Sequence, residues 1–231
     1  MFNTSTINKV FSIAAELKAK YKLMPIEAIN FCISSGNDKI GHAMNVSTMP
    51  GFDCGNCSHC IGFCYDVKAC VRYPQTVIDA RIRNSVLLER DRDEFFRRID
   101  NAMNRRRKNK MFRWHVAGDI KDADYFQRMI DNALNHPDFT IWTYTKMYSI
   151  VNDWIANNGP LPSNFTVMFS KWDGVPMPNP FNLPVFVCRL KSGNKDYFDF
   201  DNCFHCPGKC DICKASGRGC PFGESAWIDE H

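Results

Sequence analysis

The chain has 231 residues, 45% of them hydrophobic and 23% charged, with 29 Lys+Arg against 25 Asp+Glu for a formal net charge of +4. That balance excludes wholesale disorder, and so small a positive surplus does not by itself imply a nucleic-acid partner. A chain this long folds without staples, so its 12 Cys need another explanation than disulfides.

From Met1 to Lys22, Lys9, Glu16, Lys18, Lys20 and Lys22 interrupt the apolar residues. There is no stretch of about 18 apolar residues and no basic start, apolar run and small-residue cleavage site, so neither a membrane span nor a signal peptide is expected. The expected location is the cytoplasm, where thiols stay reduced. Ala28 to Ser34 is a candidate strand. Pro74 is placed to open a helix carrying Val77, Ile78, Ile82 and Val86. Phe95, Phe96, Ile99, Ala102 and Met103 recur with helical spacing and predict an amphipathic helix.

Met111 to Ala117 reads as a strand ending at Gly118-Asp119. Asp122 can cap a helix carrying Tyr125, Phe126, Met129, Ile130, Ala133 and Leu134, which stops before Pro137. Phe139 to Thr145, rich in aromatic and β-branched residues, is a strand. Met147, Ile150, Val151, Trp154 and Ile155 form the next helix, ended near Gly159-Pro160. Phe165 to Ser170 and Pro184 to Cys188 follow as strands, with a Pro-rich loop from Gly174 to Pro184 between them. The alternation predicts βαβ units and a parallel sheet. About five strands are too few to close an eight-stranded barrel. The expected fold is therefore α/β, an open or partial (βα) barrel in a single domain over residues 1–231. Cysteine-rich metal-binding segments at 54–70 and 203–220 flank it.

The first run, Cys54, Cys57, Cys60 and Cys64, has the C-x2-C-x2-C-x3-C spacing of ferredoxin cluster loops, with Tyr65 in place of the usual Pro and Cys70 as a spare ligand. Short gaps let successive thiolates wrap one compact cluster. The second run is Cys203, Cys206, Cys210 and Cys213, followed by Cys220. Its Cys206, Cys210 and Cys213 have the C-x3-C-x2-C spacing of radical S-adenosylmethionine enzymes, but the C-terminal position fits an auxiliary cluster better. One or two [4Fe-4S] clusters are the preferred reading. Zinc is the alternative, with His59 or His205 as an added ligand.

Several short motifs resemble a phage and prophage family of the "gene product 88" type. They are Cys60-Ile-Gly-Phe-Cys64-Tyr65, Arg81-Ile-Arg-Asn84, Phe112-Arg-Trp-His115 with Gly118-Asp119, and Tyr144-Thr-Lys146, completed by the terminal cysteines. The likeness covers about residues 36 to 215. That family resembles radical S-adenosylmethionine proteins of partial-barrel type, which implies a cluster enzyme without naming a substrate. The extra Cys57 departs from the pattern and leaves open which three of the first four cysteines hold a given cluster.

Ligands of parallel α/β sheets sit at the carboxyl ends of strands, where Gly118, Asp119, Lys146, Ser170 and Arg189 fall. In radical enzymes a glycine next to an acid at a strand end holds the amino group of the methionine moiety. Asp119 is the candidate for that part, with Lys146 or Arg189 meeting the carboxylate. The plainer reading is that Asp119 caps a loop and the basic residues are solvated. His115 reads first as a satisfied core histidine; the expected strand alternation, which sets it on one face with Asp119, keeps it as a second catalytic candidate. Arg97, Arg98, Arg105, Arg106, Arg107, Lys108 and Lys110 concentrate positive charge. A solvated helix face is preferred there over phosphate contact with nucleic acid. Gly193 and the Gly217/Gly219 pair form no phosphate loop. The function expected is a [4Fe-4S]-dependent, radical S-adenosylmethionine-like enzyme acting on an unknown small molecule or nucleotide. The alternative is a zinc-bearing structural or nucleic-acid-binding module.

Overall fold

The computed structural model describes residues 3–37, 40–55, 57, 60–191, 194 and 196–230. The chain divides into two compact units, each assembled from separate stretches. One comprises Met1–Ile33, Val46–Arg106 and His115–Asp119; the other comprises Ser34–Asn45, Arg107–Trp114 and Ile120–His231.

The first unit is built on helices α1 (Thr4–Lys22), α2 (Tyr65–Arg72), α3 (Asp79–Arg90) and α4 (Arg92–Arg105). Asn3 caps α1, its side chain accepting from the Thr6 N–H at 2.8 Å. Val10, Ala14, Leu17 and Tyr21 then recur every three to four residues and face a core of Ile29, Met49, Cys70, Ile78, Ile82 and Val86. Lys18 and Lys22 reach Glu89 on α3 at 2.7 and 2.5 Å. The helix expected after Pro74 forms in two parts: a wide π-type turn over Pro74–Ile78 runs into α3. Asp91 caps α4, and its buried residues Phe95, Phe96, Ile99 and Met103 follow the period read from the sequence.

The strand expected over Ala28 to Ser34 is mostly absent. Ile26–Ala28 is a tight helical turn, and only Ile33–Ser34 is extended. Side chains take the backbone groups that a ladder would need. The Cys32 N–H donates to Asn84 Oδ1 at 2.9 Å, and Asn84 Nδ2 donates to the Cys32 carbonyl at 2.7 Å. The guanidinium of Arg83 binds the Asn30 carbonyl, and that of Arg98 binds those of Ile26 and Ile29.

The sheet has strands β1 (Ile33–Ser34), β2 (Met44–Val46), β3 (Met111–Trp114), β4 (Thr140–Thr145), β5 (Phe165–Lys171), β6 (Val185–Arg189), β7 (Phe204–His205) and β8 (Ala226–Asp229). Except for Ile33 and Val46, its residues belong to the second unit. Its order is β1-β2-β3-β4-β5-β6-β8-β7, and β3 through β8 pair in parallel. The sheet stays open, as expected, but has eight strands rather than about five. β1, β2 and β7 are two or three residues long, too short to show a period.

Helices α5 (Ala123–Asn135) and α6 (Tyr148–Asn158) make the β3–β4 and β4–β5 crossovers. Asp122 caps α5 as predicted, accepting from the Tyr125 N–H at 2.8 Å. The crossover helices cover one sheet face. Trp114 meets Tyr125 there, Phe165 meets Phe126, and Phe169 meets Tyr148 with ring centroids 5.0 Å apart. The pleat sends Met111, Trp142, Tyr144 and Met168 to the opposite face. β3 ends earlier than expected, at Trp114, because His115 has φ +54° and breaks the extended run. The alternation that was to align His115 with Asp119 therefore does not exist.

Candidate metal centre

The second cysteine run is folded onto the sheet face opposite α5 and α6. Helix α7 (Cys210–Ser216) starts at Cys210, and a single tight turn, Cys220–Phe222, starts at Cys220 with Pro221 in its first positions. Cys220 belongs to a core cluster with Ala43, Met111, Trp142, Met168 and Ala226, against which Tyr144 and Cys210 pack. Thr166 on β5 donates to the Pro221 carbonyl at 3.3 Å and ties the turn to the sheet. Gly219 has φ +87°, and a Cβ there would lie 3.0 Å from the Phe204 ring and 3.1 Å from the Cys213 sulfur, so the position favours glycine.

Electrostatics groups four of these thiols. Desolvation pushes Cys220 up to about 12; the Tyr144 hydroxyl opposes this by hydrogen-bonding its sulfur, and Cys206, Cys210 and Cys213 add to it. Desolvation also takes Cys213 up to about 11, reinforced by Cys206 and Cys210. Cys210 is raised by desolvation, with the Arg113 guanidinium working against the rise and Cys206 adding to it. Cys203 is raised by burial and by Asp199 and Glu224 rather than by its fellow cysteines. Cys206 and Cys210 are half-buried, and Cys213 and Cys220 are buried. Among the described residues, no three His, Cys, Asp or Glu side chains are drawn into a tight metal-holding group.

Arg113 stands beside this set. Its register partner on β4 is Trp142, and its guanidinium lies 4.6 Å over the Tyr144 ring. Its Nε is buried with no hydrogen-bond partner, as is Trp142 Nε1. Neither role was read from the sequence, although an arginine inside the apolar Met-Phe-Arg-Trp strand was the available signal.

The first run lies in the first unit. Cys60 and Ile61 both donate backbone N–H bonds to the Cys57 carbonyl, at 3.1 and 3.0 Å, and Ile61–Phe63 forms a tight turn leading to Cys64, which precedes α2. Desolvation takes Cys64 up to about 11 and Cys70 up to about 12, with Asp66 adding to both and Arg81 opposing it at Cys70. Asp66, 1% exposed, is held by Arg81 through a two-pronged pair, Nη2 to Oδ1 at 2.9 Å and Nε to Oδ2 at 3.1 Å. His59 lies outside the described residues.

The same geometry explains the Arg81-Ile-Arg-Asn84 motif. Arg81 neutralises Asp66, Arg83 pairs with Asp79, and Asn84 clamps the backbones of Cys32 and Ser47. The next residue, Ser85, donates to Asp53, immediately before Cys54; the Met49 N–H donates to the same carboxylate at 3.2 Å. The Asp53 carbonyl accepts the Asp119 N–H at 3.0 Å, which sets Gly118-Asp119 against the start of the first run. Gly118 has φ +91°, and a Cβ there would collide with Thr48 Oγ1. Asp119 and His115 are buried, 5% and 4% exposed.

The other predicted site residues belong to the second unit. Lys146 is half-buried just after β4. The Ser170 carbonyl accepts from the Tyr148 hydroxyl at 2.5 Å, and its hydroxyl accepts from Trp172 Nε1 at 3.3 Å. Arg189 donates to Asp229 at 2.8 Å and stacks 4.1 Å over Trp227, whose other neighbours include a stacked His205. Gly217 ends α7 in the left-handed conformation, and Gly193 lies outside the described residues.

The basic stretch is divided. Arg97 and Arg98 both bind Glu94, and Lys110 pairs with Asp138 at 2.7 Å, whereas Arg105, Arg107 and Lys108 are exposed. Among the described residues, no helix is long and apolar enough to cross a membrane.

Comparison with curated proteins and with solved structures finds no match. Residues 14–175 match the family described as gene product 88, a span that holds the first cysteine run, Arg113 and Tyr144 but stops before the second run. Since the match covers well over half of its length, the chain belongs to the gene product 88 family.

Proposed function

We propose that the chain is an iron–sulfur protein in which Cys206, Cys210, Cys213 and Cys220 hold one closed [4Fe-4S] centre. The observation that carries this reading is that Cys220 lies in a core cluster on one sheet face with Cys210 packed against it, Cys206 and Cys213 belonging to the same closely spaced run. Four thiolates leave no iron open, so this centre serves structure or electron supply rather than substrate binding. A four-sulfur zinc site uses the same donors. Metal, zinc and acid-labile sulfide content of anaerobically purified protein separates the two. Iron with matching sulfide and a brown colour supports the cluster; zinc in a colourless protein replaces it.

The finer reading is a radical S-adenosylmethionine-like enzyme of phage type, centred on Cys54, Cys57, Cys60 and Cys64. Support comes from the first unit, where Gly118-Asp119 is hydrogen-bonded to the residue preceding Cys54. That contact joins the backbone of a buried acidic residue to the start of the candidate cluster loop, and a carboxylate there would suit the amino group of a bound methionine moiety. When bound, a cluster with one open iron supplies the electron for reductive cleavage of S-adenosylmethionine. The assay is 5′-deoxyadenosine formation with reductant. An intact cluster in the first run with no cleavage removes the enzymatic reading and leaves the second centre untouched.

A further inference from the structure

We propose that the outer side of α2, together with the residue that follows it, is a stacking platform for single-stranded nucleic acid, independent of what the cysteines bind. Of the eight large apolar side chains exposed among the described residues, three fall within nine positions: Tyr65 at 38%, Val71 at 41% and Tyr73 at 53%. Such side chains scattered singly are ordinary, and their gathering is not. Lys68 and Arg72 are exposed between them and make no ion pair among the described residues. From Tyr65 to Ile78 the only acid is Asp66, which is buried and held by Arg81. This stretch therefore shows two cations and no carboxylate to solvent.

Helical spacing explains why these side chains share one side. The buried residues of α2 are Asp66, Val67 and Cys70. Tyr65, Lys68 and Arg72, at i, i+3 and i+7, run along the opposite side with Val71 beside them. Tyr73 closes the helix with its backbone fixed at both ends. Its N–H donates to the Ala69 carbonyl at 2.8 Å, and its carbonyl accepts from the Val77 N–H at 2.9 Å in the wide turn that Pro74 opens. The Arg72 guanidinium lies 5.4 Å over the Tyr73 ring, which sets a charge for a phosphate beside an aromatic for a base. Single-strand binders combine these two parts: cations follow the phosphates, and rings stack on bases that a duplex keeps paired. The positive sign selects a polyanion, and the exposed rings select one with unpaired bases.

The test follows fluorescence anisotropy of a labelled oligothymidylate with the full-length protein across a salt series, beside a labelled duplex and with polyglutamate as competitor. The single strand is expected to bind more tightly than the duplex, with affinity falling as salt rises. Y73A is expected to weaken binding about 5–150-fold, the span of one lost base–ring stack, while Y73F stays within a few-fold of wild type. K68A/R72A is expected to lower the slope of log affinity against log salt by about 1.4, the share of two phosphate contacts on a single strand. Thermal melts of each variant report folding. Absence of single-strand binding overturns the proposal, as does binding that Y73A and K68A/R72A leave unchanged. Polyglutamate that displaces the oligonucleotide equally well from wild type and Y73A, with duplex bound as tightly as single strand, assigns the patch to acidic partners in general and overturns it too.

Discussion

The segment 54–70 holds a buried carboxylate paired with an arginine, Asp66 with Arg81, whereas Arg113 of the second unit covers an aromatic ring and makes no ion pair among the described residues. In the first segment Arg81 is spent on Asp66, so that pair is close to neutral. In the second unit the Arg113 guanidinium lies 4.6 Å over the Tyr144 ring. The two cysteine-rich segments are therefore set differently: one is built around an ion pair, and the other packs against a sheet face where the arginine meets an aromatic ring. Counting cysteines does not reveal this difference. Following each arginine to its partner does.

The comparison is sharpened by removing one sulfur from each segment. C220S is expected to abolish metal at the second segment nearly completely, while C54S leaves that metal in place; metal content per chain measures both. A common loss in both variants would show that the segments do not act separately. The next effect is on the finished ion pair. D66A strands Arg81 in a buried site and should cost about 3–5 kcal/mol in urea unfolding. The double replacement D66L/R81M should recover much of that loss, because it removes both charges together.

Smaller still is N84A, which deprives the Cys32 and Ser47 backbone groups of their partners and should cost about 1–3 kcal/mol by the same measurement. The smallest effect is a pH dependence at the basic stretch. Hydrogen bonds from Arg97 and Arg98 hold the Glu94 carboxyl down at about 2, below its ordinary value near 4.5. A carboxyl lowered in the folded state contributes stability that is present above the unfolded value and lost as pH falls toward the folded one. Wild type and E94Q should therefore differ most above about pH 4.5, and the difference should close as pH drops toward 2.

The long periodic segments were legible in the sequence. The cap at Asp122, the buried face of α4 and the β3–α5–β4–α6–β5 alternation all stand where their patterns put them. Ala28 to Ser34 misled because Asn84, more than 50 residues away, takes the Cys32 backbone groups, and no local pattern contains that bond. β3 was read three residues too long because Val116 and Ala117 continue the apolar pattern, while the left-handed turn at His115 is a backbone event with no mark in hydropathy. The second-run cysteines were visible as a group, but the packing of Cys210 against Cys220 at one core cluster was not, since Cys220 joins by folding back onto the sheet.

The sequence by itself determined the alternation of helix and strand, because hydrophobic period is a property of neighbouring residues. It also determined that the cysteines come in two spaced runs, because short gaps between thiols are written directly in the chain. Only the tertiary structure decided which thiols share a surface and which charges remain without a partner. Those depend on distances between residues far apart in sequence: Arg81 found Asp66 within its own helical unit, while Arg113, on a sheet face, lies over the ring of Tyr144.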